Sequence, residues 1–442
     1  MASVFGFLRR NWQILSSWRA AVPKDEDALK FGILGAANIA PIALIVPAKS
    51  HPGVIIQAVA ARDKARATAY AKKHGIPQVF DSYQALLDDP SIDAVYIPLP
   101  NGLHYEWAVK ALAKGKHVLL EKPPTANATE AELLFHSPLL AKPGAPVLLE
   151  ASHYRFQPSW ARFLALVDGP NVESASVRMA APAMSMPLDD IRFRYELGGG
   201  AILDLGAYNM SALQAIFGTA PAECVSCDVE TPGPLPRKAA AGAGDQGDGQ
   251  QLCDSKFHIV YRFPNGGTGE AHGNLRAGLL EALPTLSVTH REVVVPAEEG
   301  GGSDSLPAEQ EKVRVRRIKF DNFVIGAFWH RIIVEDEYII RAPMGDGSGA
   351  PRIIKTWKTR RVEKVYTFKE AGLEGPGEPH WLSYRYQLEE FVNRIRGRQG
   401  SGMWVDAENS ILVMRMLDMA YEKSTLPLRK TSEYRLEMVG ES

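Results

Sequence analysis

Short apolar runs alternate with stretches of helical periodicity through the first third of the chain. Phe31 to Leu34 has the length and character of a buried strand. Ile39, Ala43 and Val46 then fall on one helical face, with Pro41 in the first turn, where its missing N–H costs little. Val54–Ala60 reads as a strand, Lys64–His74 as a helix closed by Gly75, and Asp93–Ile97 as the next strand. Tyr105–Lys114 reads as a helix ended by Gly115, and His117–Leu120 as another strand. A helix near Thr129–Leu140 and the run Val147–Leu149 complete the series. Strands separated by helices predict a doubly wound parallel sheet with right-handed crossovers.

After about residue 155 the pattern changes. Val172–Met179, Lys256–Phe263, Thr285–Val295, Lys312–Phe320, Glu335–Arg341 and Glu363–Phe368 alternate or cluster β-branched and aromatic residues. They predict a large, mainly antiparallel sheet. Helices are expected at about Gly200–Phe217, Trp381–Arg396 and Asp406–Ser424. Ala239–Gln250, Glu298–Ser305 and Gly345–Gly349 are Gly-rich and read as mobile loops. The fold class is therefore α/β, a Rossmann sheet followed by an α+β domain. The expected division is an arm over 1–29, a dinucleotide-binding domain over 30–151 and a second domain over 152–442, with Gly-rich insertions near 233–252 and 298–311.

Size and composition agree with two cores. A chain of 442 residues exceeds what one hydrophobic core supports, and 45% apolar residues with a formal charge of −1 describe an ordinary globular protein. No strongly basic face suggests nucleic acid, and no apolar run of about twenty residues suggests a membrane span. Cys224-Val-Ser-Cys227 has metal-ligand spacing without a second pair, so small buried residues are the favoured reading and no metal is expected. The odd cysteine count fits a reducing cytoplasm. Met1 to Lys24 carries Arg9, Arg10, Arg19 and Lys24 and no acid, with Phe5, Leu8, Trp12 and Leu15 at helical spacing. A mitochondrial presequence has this bias; Trp12 and Trp18 favour an arm docked on the folded body.

The chemistry starts at Gly35. With Ala37 and Ala40 it keeps the G-x-G-x-x-G spacing of a dinucleotide turn, its second and third glycines replaced by another small residue, and Asn38 and Ile39 complete the corner. The following strand ends Val59-Ala-Ala61-Arg62, without the acid that holds NAD's ribose hydroxyls. An arginine there suits a 2′-phosphate, so NADP is favoured over NAD. Pro98-Leu-Pro100-Asn101-Gly-Leu-His104 and Glu121-Lys122-Pro123 follow parallel strands, whose carboxyl ends line the ligand crevice. In Gly198-Gly-Gly-Ala-Ile-Leu-Asp204-Leu-Gly-Ala-Tyr208, Asp204 and Tyr208 lie one helical turn apart.

The Gly35 turn, Glu121-Lys122-Pro123 and the Gly198–Tyr208 stretch resemble the glucose–fructose oxidoreductase / inositol dehydrogenase (Gfo/Idh/MocA) family. Within it they are most similar to the dimeric dihydrodiol dehydrogenase and NADP-dependent D-xylose dehydrogenase branch. The resemblance is good over about 30–220 and loose through Tyr384-Arg-Tyr-Gln-Leu-Glu-Glu-Phe391. It implies a nicotinamide beside Lys122, with Asp204 and Tyr208 across the substrate, and puts Tyr154, Arg155 and Arg192 on the substrate side. It also implies an open sheet face that forms a homodimer, for which the apolar Phe320–Trp329 stretch supplies a motive, with cover by the arm or the inserted loops as the alternative. Gln157 departs from the histidine common in relatives. The expected activity is hydride transfer between NADP and a sugar-like hydroxyl carbon, with Tyr208 as proton-transfer group lowered in pKa by Lys122, or Lys122 itself as the base. The alternatives are a carbonyl reductase acting on a keto-sugar or natural-product intermediate, and a non-catalytic NADP-sensing regulator.

Overall fold

The computed structural model describes residues 4–18, 21–232, 252–279, 281–302, 305–343 and 351–435. The expected loops Ala239–Gln250 and Gly345–Gly349 lie outside them. Six parallel strands form the first sheet: β1 (Leu29–Leu34), β2 (Val54–Ala60), β3 (Gln78–Phe80), β4 (Ala94–Ile97), β5 (His117–Leu120) and β6 (Leu148–Glu150), in the order β3-β2-β1-β4-β5-β6. All four residues of β4 are buried, which is why this strand reads as a continuous apolar run rather than an alternating one. Helix Lys64–His74 starts where the Asp63 carboxylate accepts the N–H groups of Ala65 and Arg66, and ends on Gly75 in the left-handed region. The short β3 and helix Tyr83–Asp88 were not anticipated, and the helix expected to run to Leu140 stops at Phe135.

The second sheet has nine strands: β7 (Val172–Pro182), β8 (Glu223–Glu230), β9 (Lys256–Arg262), β10 (Thr268–Ala277), β11 (Thr285–His290), β12 (Val293–Val294), β13 (Glu311–Asp321), β14 (Arg331–Ala342) and β15 (Arg352–Glu363). Their order is β15-β14-β13-β11-β7-β10-β9-β8, with β12 on β13, and only β7 and β10 pair in parallel. Helices Gly206–Phe217 and Ala407–Lys423 pack on one face. The strand expected at Glu363–Phe368 is corrected: Glu363 ends β15, and Thr367 opens helix Phe368–Ala371 through a reciprocal cap with Glu370. β15 itself is stitched to β14 by Arg360–Glu335, Lys358–Glu337 and Arg361–Asp336, a pairing of charges that leaves no apolar periodicity to read. β10 escaped notice for a different reason. A Cβ on its Gly273 would lie 2.1 Å from the Phe257 ring, so the glycine that weakens the strand signal is what lets the sheet pack.

Two further expectations change. The loop expected to be mobile at Glu298–Ser305 is fastened over its first part: Trp357 Nε1 donates to Gly300 O at 3.1 Å and Lys312 Nζ to Gly301 O at 2.6 Å. The apolar Phe320–Trp329 stretch is largely buried within the chain, with Ile325 its main exposed apolar side chain. Helix Val4–Ser17 contributes to that cover: Arg10 donates to Ala327 O at 3.0 Å and Phe328 O at 3.1 Å and lies 3.6 Å over the Tyr366 ring. The arm thus docks on the body, and the stretch no longer argues for a dimer.

Candidate functional site

The site grows from the carboxyl ends of β1, β4 and β5, where the strand order turns back on itself. Gly35 leaves β1 with φ +110°, a conformation that disfavours any side chain, and its N–H donates to Ala60 O at 2.7 Å. Ala36 to Ile39 then run to the helical stretch beginning at Pro41, and all line the cleft. The acid nearest the end of β2, Asp63, is committed to capping its helix, so Arg62 and Arg66 supply the free charge at this end. Arg66 also donates to Ala36 O at 3.0 Å, bracing the turn; sequence reasoning missed it.

Two strand-end loops form the next wall. His104 lies buried beneath them, with Nδ1 2.8 Å from Pro123 O and Nε2 2.7 Å from Leu99 O. Burial pushes its pKa down to about 4, so the neutral ring, with one N–H to donate, bonds one of the two carbonyls and packs against the other instead of facing a ligand. Asn101 Nδ2 donates to Gly198 O at 2.9 Å and joins this wall to the second half of the chain. Glu121 is buried and accepts the Tyr96 hydroxyl at 2.5 Å. The next peptide bond, Lys122–Pro123, is cis.

Opposite stands the helix led by the triple glycine. Gly198 has φ +74° and Gly200 φ +127°. A Cβ on Gly199 would lie 2.7 Å from Arg194 O. These constraints deliver Asp204 to Lys122: Nζ donates to the carboxylate at 2.7 Å and to the Asp204 carbonyl at 3.0 Å. Arg192 Nε reaches the other carboxylate oxygen at 3.0 Å. Burial alone would raise the Asp204 pKa, but the two cations hold it well below the usual carboxylate range.

Tyr208 sits beside this chain of charges, its ring centre 4.9 Å from Lys122 Nζ. The expected lowering of its pKa does not occur. Burial pushes it well above its ordinary value, and Tyr384, Glu121 and Asp204 add to the rise, while the Lys122 ammonium is committed to Asp204. The hydroxyl instead meets His153 Nε2 at 3.2 Å. His153 Nδ1 is 2.8 Å from Ser383 Oγ, and its ring stacks on Tyr384 at 3.9 Å. His153 is buried and held neutral, its pKa pushed down to about 3 by burial and then by the Lys122 charge.

Together these residues enclose a cleft of about 610 Å³. Its lining includes Gly35, Ala37, Asn38, Ile39, Arg62, Pro100, Asn101, Glu121, Lys122, Arg192, Asp204 and Tyr208. Three expected residues lie outside it. His104 is beneath the loops, Tyr154 is in the core with its hydroxyl on Ser211 Oγ at 3.0 Å, and Arg155 turns to Asn409 Oδ1 at 3.1 Å. In their place stand Tyr83, Met179, Asp190, Val324 and Tyr384, which sequence reasoning did not assign to the site. Tyr384 lies within a stretch singled out in the sequence and His153 directly precedes the expected Tyr154, but nothing local distinguishes Tyr384 and His153 from their neighbours Arg385 and Tyr154.

Comparisons with known proteins follow this geometry. The chain is 42% identical over 195 residues to the NADP⁺ D-xylose 1-dehydrogenase 2 of Haloferax volcanii, covering 43% of this chain and 58% of that one. It is 41% identical over 192 residues to a dTDP-3,4-didehydro-2,6-dideoxy-α-D-glucose 3-reductase of Streptomyces antibioticus, covering 43% of this chain and 57% of that one. It is 31% identical over 194 residues to the trans-1,2-dihydrobenzene-1,2-diol dehydrogenase of Xenopus tropicalis, covering 43% and 57%. The matches thus span less than two thirds of each relative's length. In fold it resembles a 3-ketoreductase from Actinomadura kijaniata, solved with NADP and TDP-benzene, with a TM-score of 0.62 at 20% identity over 90% of this chain and 98% of that one. The oxidoreductase family profile with an NAD-binding Rossmann fold matches residues 29–138 and the GFO/IDH/MocA C-terminal profile matches 171–289, so the chain belongs to the GFO/IDH/MocA family.

Proposed function

We propose that this chain is an NADP-dependent oxidoreductase that moves a hydride between the nicotinamide and a sugar-like carbon bearing a hydroxyl or carbonyl. The leading substrates are an aldose oxidised at C1, of the D-xylose type, or a trans-dihydrodiol. One observation carries the reading. The Lys122–Asp204–Arg192 charge chain and the Tyr208 hydroxyl face the same cleft as the Gly35 turn. The cofactor supplies or accepts the hydride when bound. Residues Gly35 to Ile39 would hold its diphosphate, where no acceptor among the described residues takes the Ala37, Asn38 and Ile39 N–H groups. Arg62 and Arg66 would hold a 2′-phosphate, and Pro100, Asn101, Glu121 and Lys122 the nicotinamide side.

The chain's own residues manage the proton. Lys122 gives two of its N–H bonds to Asp204 and has a third to donate to the substrate oxygen, stabilising negative charge that develops there. Tyr208 exchanges the proton, and His153 decides how. With hydrogen on His153 Nδ1, donating to Ser383 Oγ, Nε2 accepts the Tyr208 O–H; as the alcohol's proton moves to the phenolic oxygen, the phenol's own proton moves to Nε2, and the imidazolium so formed, disfavoured by burial, releases it to solvent. With hydrogen on Nε2, the tyrosine offers its proton to a carbonyl. A second reading, reduction of a keto-sugar or natural-product carbonyl, is favoured by the raised Tyr208 pKa, which keeps the phenol protonated as an acid.

The test is purified protein with NADP⁺ or NADPH and a panel of aldoses, dihydrodiols and keto-sugars, followed by cofactor absorbance. Tyr208→Phe should spare cofactor binding, and both it and Lys122→Met should cut turnover by about a hundred- to ten-thousand-fold. Normal turnover in both variants refutes the site. Normal turnover in Tyr208→Phe alone makes Lys122 the proton-transfer group. No turnover with any substrate, while NADP still binds, supports the sensing role instead. A homodimer through the open face of the second sheet rests on the commonness of closed two-fold assembly and is checked by light scattering. A cytoplasmic location is supported by the free state of Cys224, Cys227 and Cys253.

A further inference from the structure

The second sheet has a face that the helices do not cover. Along β9 and β10 the residues packed against the helices are Phe257, Ile259 and Tyr261 and Gly269, Ala271 and Gly273. The alternating positions therefore point to the open face. His258 and His272 stand directly opposite one another in the antiparallel register, their rings stacked 4.3 Å apart at 7°. Glu270, two residues before His272, lies on the same face, and its Oε2 is 3.3 Å from His272 Nε2. Ligand atoms of all three lie within 4.8 Å of one another.

We propose that His258, Glu270 and His272 form a site for a divalent transition-metal ion, zinc above all, on the open face of the second sheet. The donor set argues for it. Two imidazole nitrogens and one carboxylate oxygen suit zinc, whose remaining position would be left to water or another ligand. His258 Nε2 is shielded from solvent and has no hydrogen-bond partner among the described residues, a cost that a bound cation removes. The neighbouring strands set the strength. Arg178 on β7 pairs with His272 and repels a cation, while Asp228 on β8 pairs with His258 and attracts one. The balance predicts micromolar rather than nanomolar binding. Met179, which lines the cleft, belongs to the other face of the sheet, so the ion would bridge β9 and β10 away from the cleft.

The experiment uses untagged full-length protein freed of metal with a chelator and dialysed. Zinc binding is measured by calorimetry, and bound cobalt(II) by its visible spectrum. One equivalent should bind, at least tenfold more weakly in His258→Ala and in His272→Ala. Glu270→Gln is half-exposed and safe for folding, and should also weaken it. Cobalt should give tetrahedral bands without thiolate charge transfer. Stoichiometric binding unchanged in all three variants, a thiolate band, loss of binding in Cys227→Ser, or no binding at about 100 µM zinc would each overturn the site.

Discussion

Replacing Gly200 by alanine should cost far more than replacing Gly75, although both glycines have positive φ. Gly75 has φ +70° at the end of helix Lys64–His74, and an added Cβ meets nothing within 4 Å. Its substitution pays only for the left-handed backbone, about 1–2 kcal/mol. Gly200 has φ +127° and ψ 143°, nearer the region reserved for glycine, worth about 1–3 kcal/mol. Its Cβ would also lie 2.5 Å from the Tyr421 hydroxyl, 2.6 Å from Arg429 Nη2 and 2.6 Å from Asp254 Oδ1. Those atoms form one buried network: Tyr421 donates to Asp254 at 2.9 Å, and Arg429 donates to the Tyr421 oxygen at 2.9 Å and to Gly199 O. Displacing one of them forfeits a hydrogen bond to a charged group, about 1.5–3 kcal/mol. The sum for Gly200→Ala is about 2.5–6 kcal/mol. Denaturant unfolding of the two variants side by side measures the gap, expected to exceed about 2 kcal/mol. Because Gly200 leads the turn that carries Asp204, turnover of any folded Gly200→Ala protein should fall as well. If the two variants unfold within about 1 kcal/mol of each other, the network is not a rigid support and the reasoning fails.

Other perturbations separate other parts of the molecule. Arg62→Ala should weaken NADP⁺ about five- to thirtyfold more than NAD⁺, the value of a partly exposed charged contact; equal losses in a fluorescence titration would show that Arg62 does not read the phosphate. Burial, with Glu422 and Glu130 adding, raises the Asp418 carboxyl to about 7 even though it accepts the Ala128 N–H. The folded state then binds the extra proton between the unfolded value of about 3.9 and 7, so stability declines as pH rises through that window. Asp418→Asn should therefore be more stable than the parent at pH 8 by about 1–3 kcal/mol and nearly equal to it at pH 4, as read in thermal melts. Arg10→Ala removes two hydrogen bonds and the stacking on Tyr366. It should speed tryptic cleavage within the arm at least tenfold with NADP turnover unchanged, and an unaltered digest would mean that other contacts hold the arm.

The sequence by itself determined the parallel sheet and the turn at Gly35, and pointed to Lys122, Asp204 and Tyr208, which meet in one cleft. Each depends on local requirements: a run of apolar residues for a strand buried on both faces, a glycine where φ must be positive, and a fixed spacing along a helix. Tertiary structure decided what distant residues do to one another. β15 exists through cross-strand charges on β14, which no window of its own sequence contains. Helix Ser383–Ile395 returns after the whole second sheet to cover the first, setting Phe391 against Phe31 with ring centres 6.1 Å apart, and with it brings Tyr384 into the cleft. Lys122 was expected to tune Tyr208, but its charge is spent on Asp204, and burial, which depends on everything packed around the phenol, moves Tyr208 the other way. His104, Tyr154 and Arg155 were recognised as polar residues near the right loops; only the packing turned them away from the ligand. Spacing along the chain constrains which atoms can meet within one element, whereas the direction of a side chain and the water left around it are fixed only when the elements close on each other.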